Sequence, residues 1–90
     1  MAVARVVMFE DVDADRFAQM EGRERPEGVP ATEIIALHDP ETRKALVVLF
    51  FENEQDYATG DATLSAMPAD DTPGRRSSVT KYDVATRMTA

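Results

Sequence analysis

Apolar and polar positions alternate along this chain with two different periods, and the changes of period divide it into successive elements. Val3 to Phe9 is a short apolar run rich in β-branched residues and broken only by Arg5, which predicts a first strand. Ala14, Phe17, Ala18 and Met20 then recur at three- and four-residue spacing, placing them on one face of a helix over about residues 13–24. Asp13 is its expected N-cap, Asp11, Asp13 and Asp15 suit the positive end of its dipole, and Gly22 with Pro26 limits its length. Thr32 to His38 reads as a second strand, followed by Asp39-Pro40-Glu41-Thr42, with Asp and Pro where a type I turn favours them. The second and third strands are thus expected to form a hairpin.

The third strand, Lys44 to Glu52, is apolar on both sides: Leu46, Val48 and Phe50 on one, Val47, Leu49 and Phe51 on the other, which predicts burial of both faces. Asn53 is the expected cap of the next helix, with Asp56 near its first turn. There Tyr57, Gly60, Asp61, Leu64 and Met67 keep helical spacing until Pro68 ends it. Gly60 either weakens this helix or admits close packing. Ala69 to Arg76, rich in Asp, Pro and Gly, reads as a loop, and the mixed-polarity stretch Ser78 to Met88 as a fourth strand.

This order predicts an α+β, ferredoxin-like βαββαβ fold with a four-stranded antiparallel sheet. Right-handed crossovers put both helices on one face and strands one and three at its centre. The other face is then bare, roughly 400 Å² in projection, as large as the biggest apolar patch a soluble monomer usually shows. Assigning Val7, Phe9, Val47, Leu49 and Phe51 to that bare face, we expect a second copy to cover it, because two-fold pairs are the commonest assemblies.

Composition narrows the function classes. Ninety residues suit one domain over 1–90, and 43% hydrophobic with 30% charged residues is ordinary for a globular chain. Ten Lys and Arg against seventeen Asp and Glu give a net charge of -7, with Arg43/Lys44 and Arg75/Arg76 only isolated basic pairs. Nucleic-acid and membrane partners are therefore not expected. With no cysteine there are no disulfides, thiolate metal ligands or cysteine nucleophiles, and the amino-terminal segment lacks a long apolar run, so a cytoplasmic setting is the expectation. Neither metal nor cofactor is expected. Asp11, Asp13 and Asp15 imitate a calcium loop, but its sixth position is Arg16 instead of glycine and its twelfth is Gly22 instead of glutamate.

Four stretches, Arg5-Val6-Val7-Met8-Phe9-Glu10, the Asp39-Pro40-Glu41-Thr42 hairpin, Leu46 to Asp56, and Tyr82-Asp83-Val84, resemble the dimeric α/β-barrel superfamily and in particular its antibiotic-biosynthesis-monooxygenase-like members. The resemblance implies a homodimer with sheets packed face to face and a lumen for a small organic molecule. It specifies fold better than activity. Oxygenases of that superfamily carry Asn, Trp and His in the lumen, whereas this chain has no Trp, Phe51 stands where some carry it, and Arg5 stands where some carry Asn.

Sheet parity offers one polar constellation: Arg5 shares a side with Val7 and Phe9, and Lys81 and Asp83 alternate with Tyr82 and Val84 on the fourth strand. A buried Arg5 or Lys81 requires an anionic partner, Asp83 or a ligand carboxylate; the competing reading is an ion pair in solvent at the sheet edge. The candidate lumen set is Arg5, Val7, Phe9, Leu49, Phe51, Lys81 and Asp83. His38, the sole histidine, is a candidate acid or base beside Asp39, although a histidine ahead of a turn is more often solvent-exposed or at an interface. Tyr57 and Tyr82 read as packing residues, and Gly74-Arg75-Arg76 as a solvated loop without the glycine spacing of a phosphate motif. No catalytic set emerges. The reading is a dimeric protein that binds a small organic molecule; the alternative is a cofactor-free monooxygenase or isomerase acting on an aromatic or polyketide-like substrate.

Overall fold

A computed structural model describes residues 2–20, 27–67 and 72–88. The elements are β1 (Val3–Glu10), α1 (Ala14–Met20), β2 (Glu33–Asp39), β3 (Lys44–Phe51), α2 (Glu54–Ser65) and β4 (Arg75–Asp83). They form an α+β fold with one four-stranded antiparallel sheet, in the order β2-β3-β1-β4. The two most apolar strands occupy its centre, as the sequence pattern anticipates.

Local chemistry sets the element boundaries. Asp13 Oδ1 accepts from the backbone N–H groups of Asp15 and Arg16 at 2.9 and 3.2 Å, satisfying donors that the first turn of α1 leaves free. Asn53 Oδ1 does the same for Asp56 N–H at 2.8 Å at the start of α2. In the β2–β3 turn, Asp39 Oδ1 accepts from Glu41 N–H at 3.1 Å, and Arg43 takes a left-handed φ of 58° where the chain turns back. The expected extension of α1 beyond Met20 and the Pro68 stop of α2 lie outside the described residues. The fourth strand is three residues earlier at its start and five shorter at its end than the pattern suggests. The pairing with β1 marks this end: Asp83 pairs with Val3, the first residue of β1, and Val84 N–H reaches Ala2 O.

Register fixes the two faces. On the helix-covered side, Val3, Arg5, Val7 and Phe9 lie opposite Phe51, Leu49, Val47 and Ala45, and all eight are buried. Val12, Phe17, Val29 and Ala31 complete that core, with Tyr57 and Leu64 packed against it. The placement of Val7, Phe9, Val47, Leu49 and Phe51 on the bare face is therefore corrected: they form the floor beneath the helices. A one-residue change of parity transfers a whole set to the opposite side. The bare face instead carries Val6 and Met8 from β1, Leu46, Val48 and Phe50 from β3, and Ile35 and Leu37 from β2.

One irregularity bears on the surface. Between Met8 and Phe9 the β1–β4 register shifts, so that Met8 faces Ser78 and Phe9 faces Arg76, leaving Ser77 as an extra residue on β4. Ser77 Oγ donates to Met8 O at 3.2 Å, and Arg76 Nη1 donates to Leu64 O near the C-terminal end of α2 at 3.5 Å.

Candidate functional site

Two regions contain features that ordinary packing does not demand. One is a buried charge beneath α2, and the other is the bare sheet face.

Arg5 is 2% exposed in the centre of the sheet, with Leu49 and Lys81 in register on its two sides. Its Nε donates to Asp61 Oδ1 on α2 at 2.9 Å, and its Nη2 is buried without a hydrogen-bond partner. Lys81, next to it on β4, reaches Glu54 Oε1 at 2.9 Å and lies 5.3 Å above the Tyr57 ring. Two basic strand residues thus grip two acidic residues spaced seven apart on one helix, about two turns. Tyr57 sits between them, edge-on to Phe51 at 5.6 Å between ring centres. Burial, and then the Asp61 carboxylate, push its phenol pKa up. The hydrogen bond from Lys81 holds Glu54 below the usual carboxylate range, and the same bond raises Lys81.

Gly60 is the one fully buried residue of α2, and Tyr57 and Leu64 are its partly buried apolar contacts with the core. A Cβ at Gly60 would stand 2.6 Å from Phe51 Cε1, so the glycine lets the helix backbone approach the ring. The helix is held by that approach, by the packing of Tyr57 and Leu64, by the two ion pairs, and by Thr63 Oγ1 donating to Gly28 O at 3.2 Å.

The candidate lumen residues Arg5, Val7, Phe9, Leu49, Phe51, Lys81 and Asp83 do share one side of the sheet, but it is the side that the helices cover. The anion present beside Arg5 is Asp61, and Asp83, one of the alternatives read from the sequence, is an exposed residue at the end of β4. Asp61 and Glu54 are the charge partners that the sequence reading did not identify. Asp61 carried a signal, since it stands in step with Tyr57 and Leu64 on the inward stripe of its helix, where an acid implies a buried base opposite.

His38 is half-buried, its ring stacked on Phe17 at 4.6 Å and 29°, so within the chain it seats α1 and does not stand free in solvent. Asp39 beside it is held below its ordinary pKa by the Thr42 hydroxyl and then the Glu41 backbone N–H. Tyr82, expected to pack, is 56% exposed. Arg75 is committed to Glu10 and Asp11 at 3.2 and 3.4 Å, which answers the phosphate reading of Gly74-Arg75-Arg76. Among the described residues no group of three His, Cys, Asp or Glu side chains is placed to hold a metal ion.

The bare face has an apolar middle and charged ends. Leu37 is 54% exposed on β2 with Ile35 and Met8 open on the same face, and Tyr82 stands open at the opposite corner on β4. At one end Asp39 pairs in register with Lys44. At the other, Arg87 beyond β4 donates to Glu33 Oε2 at 2.6 Å with its guanidinium 5.1 Å from the Phe50 ring centre. A hollow of about 390 Å³ opens at the Asp39 end, lined by Met8, Leu37, Ala45 and Leu46 with His38, Asp39, Thr42 and Lys44 at its margin. Among the described residues no helix is long and apolar enough to cross a membrane.

Comparison with protein-family models, curated proteins and solved structures finds no match to this chain.

Proposed function

We propose that this chain is a ferredoxin-like pairing module: two copies bring their bare sheet faces together and hold a small organic molecule in the apolar space at the Met8–Leu37–Leu46 end. The observation that supports it is the uncovered run Val6, Met8, Ile35, Leu37, Leu46, Val48 and Phe50, with charge confined to the strand ends. An apolar centre with a polar rim is the anatomy of a protein interface.

A second copy suits this face better than a polar partner. A face that carries both signs of charge can meet a second copy of itself about a two-fold axis, and here the carboxylates Glu33 and Asp39 lie beside Arg87 and Lys44. Two chains of net charge -7 repel one another through most of their surfaces, so contact through a nearly neutral face avoids that penalty. The hollow of about 390 Å³ falls within the size range of small-molecule sites, roughly 300–1,000 Å³. Its lining offers apolar contact with Lys44 and Asp39 together at the edge, which suits an apolar body bearing a small polar group.

Native mass spectrometry of gently purified protein tests both parts. A dimer with an added small-molecule mass is the expected spectrum. A monomer at tens of micromolar would refute the pairing, and a dimer with no added mass from any extract would refute the ligand.

A further inference from the structure

We infer that β2 is a strand-pairing edge: it adds antiparallel to β2 of a second copy, in a register centred on Ile35. This contact is separate from the face pairing proposed above and does not rest on it.

The two edges of the sheet are built differently. β4 carries Arg75, Arg76 and Lys81 and is broken by the bulge at Ser77, and such charges and bulges keep an exposed strand from pairing with another chain. β2 has neither. It keeps register with β3 over all seven residues, it contains no lysine, arginine or proline, and Ile34, Ile35, Ala36 and Leu37 follow one another without a charge. All four are exposed. Ile35 and Leu37 belong to the bare face, but Ile34 and Ala36 stand opposite Leu49 and Val47 on the helix side. There Leu49 and Val47 are buried while Ile34 is 39% exposed, so the cover that the helices give β3 does not reach this part of the edge strand. It is open on both sides. A copy laid on the bare face leaves Ile34 and Ala36 untouched, whereas a strand added at the edge flanks both sides at once.

Charge selects the partner. Glu33 is engaged by Arg87 at 2.6 Å and Asp39 accepts from Glu41 N–H at 3.1 Å, so both carboxylates at the ends of β2 already have partners within the chain. The complement of this edge is an uncharged apolar strand, and β2 is itself one. Residues that face each other across a strand pair share a side of the sheet, so a two-fold pair of β2 strands centres on a residue. Centred on Ala36, it sets Glu33 against Asp39 of the second copy. Centred on Ile35, it sets Ile35 against its own equivalent, Ile34 against Ala36 and Glu33 against Leu37, and no like charges meet. Two chains of net charge -7 thus approach along their uncharged stretch.

The chain has no cysteine of its own, which makes cross-linking the direct test. Ile34→Cys and Ala36→Cys chains are mixed and oxidised; facing residues of an antiparallel pair lie about 4.5–5.5 Å apart between Cα atoms, within disulfide reach. Both positions are on the helix side, which contact between bare faces does not bring together. The expected product is a covalent dimer of one chain of each kind, formed several-fold more readily than a dimer of either variant alone. Sedimentation velocity of Ile34→Lys is the second measurement. The contact is short, so the wild type is expected to form species beyond the dimer only as it is raised to hundreds of micromolar, and Ile34→Lys is expected to stop at the dimer with unchanged far-ultraviolet circular dichroism. The lysine makes the chain less acidic, so greater overall repulsion does not explain that loss. No mixed covalent dimer, together with identical sedimentation of wild type and Ile34→Lys, would overturn the edge pairing and leave the face pairing standing. A wild-type dimer that Ile34→Lys dissolves and Met8→Asp on the bare face does not would support the edge and refute the face. A wild type that carries a foreign peptide and no second copy would overturn both.

Discussion

Arg5 and Asp61 are bonded to each other, yet replacing them should have opposite consequences. Arg5 is 3% exposed at its side chain and makes one charged hydrogen bond, while its Nη2 is buried without a partner; Asp61 is 39% exposed. Arg5→Met removes a bond worth about 1.5–3 kcal/mol but also ends the burial of an unmatched donor, which costs about 1–3 kcal/mol. The freed Asp61 rehydrates, and the thioether occupies the same space with apolar contacts. The expected net change lies between neutral and roughly 2 kcal/mol more stable, as for other buried ion pairs replaced by hydrophobes. Asp61→Ala leaves the guanidinium buried with no anion, and the expected loss is about 3 kcal/mol. A chain of this size is stabilised by only about 5–13 kcal/mol, so that difference is easily read. Urea unfolding at one fixed protein concentration gives both values, provided the slope m is unchanged between variants. Equal destabilisation by the two substitutions would refute the reasoning, because it would mean that Arg5 contributes net stability that its buried, half-used guanidinium does not predict.

Other predictions follow from the same geometry. Gly60→Ala gains about 1 kcal/mol of helix propensity but drives a methyl into Phe51, so a net loss of roughly 1–2 kcal/mol is expected, read as a melting temperature about 5–10 °C lower. Leu37→Asp should weaken self-association by roughly tenfold or more in sedimentation velocity, since burying an uncompensated carboxylate costs well over 1.4 kcal/mol, while far-ultraviolet circular dichroism stays unchanged. The Glu54–Lys81 pair should fail at both extremes of pH. Glu54 has a lowered folded pKa, so its contribution is present above its unfolded value of 4.5 and is lost as pH falls through the folded one. Lys81 has a raised folded pKa, so its contribution is complete below 10.5 and is lost as pH rises through the folded value. Lys81→Met should remove both limbs from a urea-midpoint profile, and an unchanged profile would assign the pH dependence to other groups.

The element order was legible because its signals are local: Asp13 and Asn53 as caps, the Asp39-Pro40 turn, and the apolar central strands. The direction in which those strands face was not. Val6 and Met8 are as apolar as Val7 and Phe9, and Leu46, Val48 and Phe50 match Val47, Leu49 and Phe51, so alternation gives no sign of which set meets the helices. What breaks the tie is three-dimensional: Gly60 against Phe51, and Asp61 against Arg5. Arg5 illustrates the cost of that ambiguity, because a charged residue in an apolar strand reads as outward until its partner is found on a helix 56 positions away. The end of β4 was likewise misplaced, since strand length is a property of the pair and the sequence of one member does not contain it.

The extra residue Ser77 acts as a sorting device for charge. Were Ser77 paired instead of bulged, strict alternation along β4 would bring it opposite Phe9 and carry Arg76 one place on, opposite Glu10 at the corner of the bare face. With the bulge, Arg76 lies opposite Phe9 and turns to the carbonyl end of α2, where a cation meets the negative pole of the helix. The bulge thus decides whether the helix side receives a positive charge: an arginine stands opposite Glu10 in either register, Arg75 with the bulge and Arg76 without it, but only the bulged register puts one opposite Phe9.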